Sequence, residues 1–170
     1  MNRTGHLILL GCLLLSSCGY HLRGKETNLP SEIHSVAIPI FGNRTTETGM
    51  ESVVTEGLVE KFVSSKRLPV TTQSSADALL TGTIVTFTTY PVAVSSSNQF
   101  STEFRATLTL EFTFKDQKTG KVLFREVMSD WRNYPVVQDL NATEQFKREA
   151  IRQISFLLAE RMYELILGGF

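Results

Sequence analysis

The sequence predicts an α+β fold: a two-layer domain with two helices packed on one face of a mostly antiparallel sheet of four to five strands. Three observations predict it. Residues 103–115, EFRATLTLEFTFK, alternate strictly between apolar and polar side chains, which describes a long, half-buried antiparallel strand. Residues 116–120, DQKTG, are turn formers that send the chain back as a neighbouring strand. Two stretches with helical spacing bracket the strands, and the order β, α, several strands, α is that of helices laid on one sheet.

Each element follows from its own residues. Val36, Ile38 and Ile40 alternate with Ala37 and Pro39 as a first strand; Pro39 has no N–H to donate and suits an edge. Gly42, Asn43 and Arg44 break it. Met50, Val53, Val54, Leu58 and Phe62, with Val63, fall on one helical face and predict a helix over 49–65, weakened at Gly57 by roughly 1 kcal/mol relative to alanine. Leu68 to Thr72 is expected to begin a second short strand. Ala76 to Gly82 opens a third, continuing through Ile84, Val85, Phe87 and Tyr90. In the long strand, Phe104, Ala106, Leu108, Leu110, Phe112 and Phe114 share one face, and Arg105, Thr107, Thr109, Glu111, Thr113 and Lys115 share the other. Residues 121–131 return as the next strand; their phase is irregular after Phe124, which predicts a bulge. The last element is a helix over 142–166 with a broad apolar stripe including Phe146, Ala150, Ile154, Leu158, Met162 and Leu165, and Asn141 with Glu144 is expected to form its capping box.

Ahead of these elements, Arg3 is followed by an apolar run from Leu7 to Leu15, interrupted by Gly11 and Cys12. A short positive region followed by a short apolar one describes a secretory signal peptide. The run is about half of the ~20 residues a membrane-spanning helix needs. Leu15, Ser16, Ser17 and Cys18 resemble the bacterial lipobox, in which the cysteine thiol is acylated and the cysteine becomes the new N-terminus. Residues 1–17 are therefore expected to be removed, 18–31 to form a lipid-anchored tether, and 32–170 to form one domain. Gly19, where an Asp would favour inner-membrane retention, points to outer-membrane sorting.

Composition narrows the function. The chain carries 17 Lys and Arg against 17 Asp and Glu, so no general attraction to nucleic acid or to an anionic membrane operates. After cleavage Cys18 is the only cysteine left, which excludes a disulfide framework and a thiolate metal site. His21 and His34 have no partners at metal-ligand spacing, and no Gly-x-Ser-x-Gly elbow, phosphate-cradling loop or HExxH motif is present. No catalytic residue, metal or cofactor is expected. Binding has a positive signal: the polar face of the long strand, with Thr81, Thr83, Thr86, Thr88 and Thr89 nearby, makes a hydroxyl-rich sheet surface, although threonine also suits a merely solvated one.

The run Cys18-Gly19-Tyr20-His21-Leu22-Arg23-Gly24 resembles the mature N-terminus of the lipopolysaccharide-assembly lipoprotein LptE family. The resemblance extends through ADALLTGTI at 76–84, the long hairpin and the final helix. It implies a non-enzymatic outer-membrane lipoprotein that sits inside the β-barrel protein LptD. There it would plug the lumen, assist assembly of the barrel and contact lipopolysaccharide on its way to the cell surface. It also implies helices on one face of a four-stranded sheet. The family meets the lipid through basic loop residues at one end of the sheet. The matching loop here, Ser95 to Gln99, has no Lys or Arg, so that site does not carry over residue by residue. Two other readings of the same residues are a lipoprotein that binds peptidoglycan or another envelope polymer, and a lipid-anchored enzyme.

Topology suggests another place for the lipid phosphate. The loop at 95–102, the start of the long strand, the end of the strand after it and the start of the last helix should meet at one end. Arg105, Arg132, Lys147 and Arg148 are expected to gather there beside the helix N-terminus.

Overall fold

The computed structural model describes residues 29–94 and 101–168. The signal segment, Cys18, the tether up to residue 28 and the loop at 95–100 lie outside the described residues. The elements in order are β1 (Val36–Ala37), β2 (Gly42–Asn43), α1 (Met50–Ser65), β3 (Ala78–Val94), β4 (Ser101–Asp116), β5 (Val122–Pro135) and α2 (Leu140–Leu167). They form one five-stranded sheet in which β3, β4 and β5 run antiparallel, while the two-residue strands β1 and β2 both pair in parallel with β3. The predicted class holds: an α+β domain with both helices on one face.

β4 behaves as its alternation demands. Ala106, Leu108, Leu110, Phe112 and Phe114 are buried beneath the helices. α1 presents Met50, Val54, Leu58 and Phe62, each four residues from the last, and all are buried. α2 adds a wider stripe that includes Ile151, Ile154, Leu158, Met162 and Ile166. The helices run parallel, because Lys61 meets Glu160 at 2.7 Å, the rings of Phe62 and Tyr163 meet edge-on at 5.2 Å, and Lys147 meets Glu47 at 3.1 Å. Gly57, which costs helix propensity, lies over the Ser155 backbone, where a Cβ would have 3.8 Å of room.

Several boundaries differ from expectation. The first strand shrinks to Val36–Ala37, with Ile40 64% exposed, because Pro39 interrupts the ladder. The stretch from Leu68 contributes only an isolated bridge between Val70 and Val36. β5 continues to Pro135, pairing Trp131 with Thr107 and Asn133 with Arg105. Its bulge falls at Leu123, between the pairs Phe114–Phe124 and Lys115–Val122, and the register after Phe124 is continuous. The irregular phase has another cause: β5 is the outer strand, and Glu126, Asp130 and Arg132 take the helix-side positions near its open edge. α2 begins two residues earlier than expected. Its cap is Asp139, whose carboxylate accepts from the N–H groups of Asn141 and Ala142, and Glu144 pairs with Lys147 rather than closing a capping box.

Candidate ligand-facing surface

The side of the sheet away from the helices is covered by no described element. Its layout depends on a bulge in β3 at Val85: Ile84 pairs with Leu110, but Thr86 already pairs with Thr109. The extra residue shifts the phase, so that Phe87 turns inward opposite Leu108 while Thr86, Thr88 and Tyr90 join Thr81 and Thr83 outside. Cross-strand rows follow from the register. From one end they read Tyr90–Arg105–Asn133, Thr88–Thr107–Trp131, Thr86–Thr109–Ser129, Thr83–Glu111–Val127 and Thr81–Thr113–Arg125.

At the first two rows the side chains interlock. The Arg105 guanidinium lies 3.7 Å from the centre of the Trp131 ring, a stacked cation–π contact, and its Nε donates to Asn133 Oδ1 at 2.9 Å. Trp131 stays 46% exposed and Tyr90 43% exposed. Farther along, Thr109 donates to the Ser129 hydroxyl at 3.1 Å, and that hydroxyl donates to the Leu108 carbonyl. Thr81, Thr83, Glu111, Thr113 and Arg125 border a polar cleft of about 340 Å³, where Arg44 reaches Glu111 at 3.5 Å.

The structure brings the four expected basic residues to the same end, though not to one face. Arg105 is on the uncovered face. Arg132, opposite Ala106, is on the helix side of β5, bonded to the Trp131 carbonyl and 3.7 Å from Asp130. Lys147 is clasped by Glu144 at 2.9 Å and Glu47 at 3.1 Å. Burial works against its charge, yet these carboxylates outweigh it and hold its pKa above the ordinary lysine value. Arg148 lines a groove of about 820 Å³ between α1 and α2 that also exposes Phe156, Glu56 and Glu60. The N-terminus of α2 is already occupied by the Asp139 carboxylate. Trp131, Asn133 and Tyr90 were not singled out by the sequence, since no spacing in one strand reveals a diagonal contact across two. Among the described residues no cluster of His, Cys, Asp or Glu is arranged to hold a metal ion, and no helix is long and apolar enough to cross a membrane.

Comparison with known proteins gives a family match and a set of similar folds. The family model described as LptE, lipopolysaccharide-assembly, matches residues 33–166. No curated protein matches the sequence. Among solved structures, lipoprotein B from Nitrosomonas europaea superposes with a TM-score of 0.55 at 15% identity, covering 88% of this chain and 90% of that one. The rare lipoprotein B from Shewanella oneidensis gives 0.52 at 10% identity, over 77% and 92%. The PelC dodecamer from Paraburkholderia phytofirmans gives 0.56 at 10% identity, over 86% and 94%. At these low identities the superpositions show a shared fold and nothing more.

Proposed function

The chain belongs to the LptE lipopolysaccharide-assembly family, its match running from Ile33 to Ile166, and from that premise we propose that it is a non-enzymatic outer-membrane lipoprotein that helps assemble the LptD barrel, plugs its lumen and passes lipopolysaccharide to the cell surface. The family match is the observation that carries this reading. The anchor in this proposal is the lipid on Cys18, with residues 1–17 removed, 18–31 as tether and the domain from 32 onward on the periplasmic side of the barrel lumen. The anionic head of lipopolysaccharide is received at the end of the sheet holding Arg105, Arg132, Lys147 and Arg148. Arg105 is the strongest contact, because its charge faces the uncovered side while Lys147 is already neutralised by two carboxylates.

The test is purification from detergent-solubilised outer membranes. The expected result is an acylated Cys18 at the N-terminus of the mature chain, with LptD identified by mass spectrometry in stoichiometric amount. Recovery with cell wall and without a barrel would overturn the reading in favour of a polymer-binding lipoprotein. In the purified complex, Arg105→Glu with Arg132→Glu should weaken lipopolysaccharide binding while keeping LptD. Reversing Lys118 and Lys121 at the opposite end serves as the control, and an equal loss there would move the site.

A further inference from the structure

The rows next to Arg105 carry a different chemistry from the charge used above, and they point to a different part of the ligand. We propose that the uncovered face of the sheet binds the saccharide chain of lipopolysaccharide, with the Trp131 indole as stacking platform and the threonine rows beside it exchanging hydrogen bonds with sugar hydroxyls. This rests on lipopolysaccharide being the ligand.

A sugar ring is two-sided: an apolar face of C–H bonds and a rim of hydroxyls. A complementary surface needs an exposed, fixed aromatic plane with small donors and acceptors around it. Trp131 supplies the plane: the Arg105 guanidinium stacks on one face of the indole and holds it, the residue stays 46% exposed, and a sugar ring would stack on the face opposite the guanidinium. Asn133 gives its amide oxygen to Arg105, which fixes the amide and turns it into a donor for a ligand. Thr86 and Thr88, exposed, and Thr107, half-buried, complete the rows around the indole with hydroxyls. Other occupants fit less well. Val122 and Val127, the exposed aliphatics of β5 on this face, are separated by the Arg125 row, so acyl chains or an apolar helix would meet no continuous apolar patch. Glu111 stands between Arg105 and Arg125 along the face, so the basic residues form no unbroken track for a polyanion. Five rows spaced two residues apart across three strands span about 27 Å by about 10 Å, room for several sugar rings in line.

Trp131 is the sole tryptophan of the chain, so intrinsic fluorescence reads this surface directly. The mature lipoprotein in detergent is titrated with three probes: core oligosaccharide released from lipopolysaccharide, lipid A without core sugars, and soluble peptidoglycan fragments. The core oligosaccharide should change Trp131 emission saturably. By calorimetry, Trp131→Ala should weaken that binding at least tenfold and Asn133→Ala severalfold, with unchanged thermal melting. Silence toward the core oligosaccharide, equal binding of peptidoglycan fragments, or full binding by both variants would each overturn the proposal. If lipid A still binds in those cases, the lipopolysaccharide reading survives without it. If neither lipid A nor core sugar binds, that reading falls as well.

Discussion

Gly82 shows how narrowly single residues are fitted in this domain. A Cβ there would sit 2.1 Å from Cε2 of Phe41, whose ring is 2% exposed on the helix side of the sheet. The glycine makes space for a ring that closes the core above β3. Gly82→Ala should cost ~1–3 kcal/mol by overpacking, read as a lower denaturant midpoint, and adding Phe41→Leu should recover part of the loss. No recovery would mean that the strain lies in the backbone. Asp77 is a second case. A hydrogen bond from Lys118, then bonds from the Ser35 hydroxyl and the His34 N–H, draw its carboxyl from 3.8 down to about 2. A depressed carboxyl stabilises the fold above its unfolded value and loses that contribution as pH falls through its folded one. Between pH 4 and pH 2, as read from the values 3.8 and about 2, the wild type should therefore lose stability more steeply than Asp77→Asn. Parallel curves would remove Asp77 from the acid response. Neither fit was legible in the sequence, since Gly82 and Asp77 meet partners some forty residues away.

At the scale of elements, β5 matters most, because it is the long strand with a neighbour on one side only. The Ser129 carbonyl accepts from Arg161, the Trp131 N–H donates to the Asp130 carboxylate, and the Trp131 carbonyl accepts from Arg132. These groups point away from β4, and side chains satisfy them where another strand would otherwise add. Arg161→Ala combined with Asp130→Ala should shift the protein toward larger species in sedimentation velocity, compared with wild type at the same concentration. An unchanged distribution would show that the twist of the strand, not the side chains, protects this edge. The same strand marks how far sequence reading reaches. β4 was readable because it is central and one face is buried along its whole length, so polarity tracks geometry. β5 is harder to read because an edge strand can place charged residues on the core-side phase, where Glu126 stays exposed and Asp130 and Arg132 are only partly buried. The start of α2 was shifted for a similar local reason: Asp139 and Asn141 are both good caps, and Asp139 wins by accepting two N–H groups.

For the whole molecule, the decisive property is that the sheet has one dry face and one open one. Leu110 and Thr109 are neighbours in β4, paired with Met128 and Ser129, and they point to opposite sides. Leu110 is 0% exposed beneath the helices, so Leu110→Asp would bury a carboxylate with no partner. That cost takes a large part of the ~5–15 kcal/mol by which a domain is stable, and the variant should fail to fold. Thr109→Asp keeps its side chain in water and gives up the hydrogen bond to Ser129, so it should change stability by at most ~1 kcal/mol. Circular dichroism melts of the two variants separate these outcomes, and equal destabilisation would require a second layer over the threonines. The comparison also tests why an uncovered face of this size is kept. A face that serves only solubility should tolerate Thr109→Asp in every assay. If the face receives a ligand, the variant should fold normally yet lose affinity for the core oligosaccharide, because a charge then stands in the row next to Trp131.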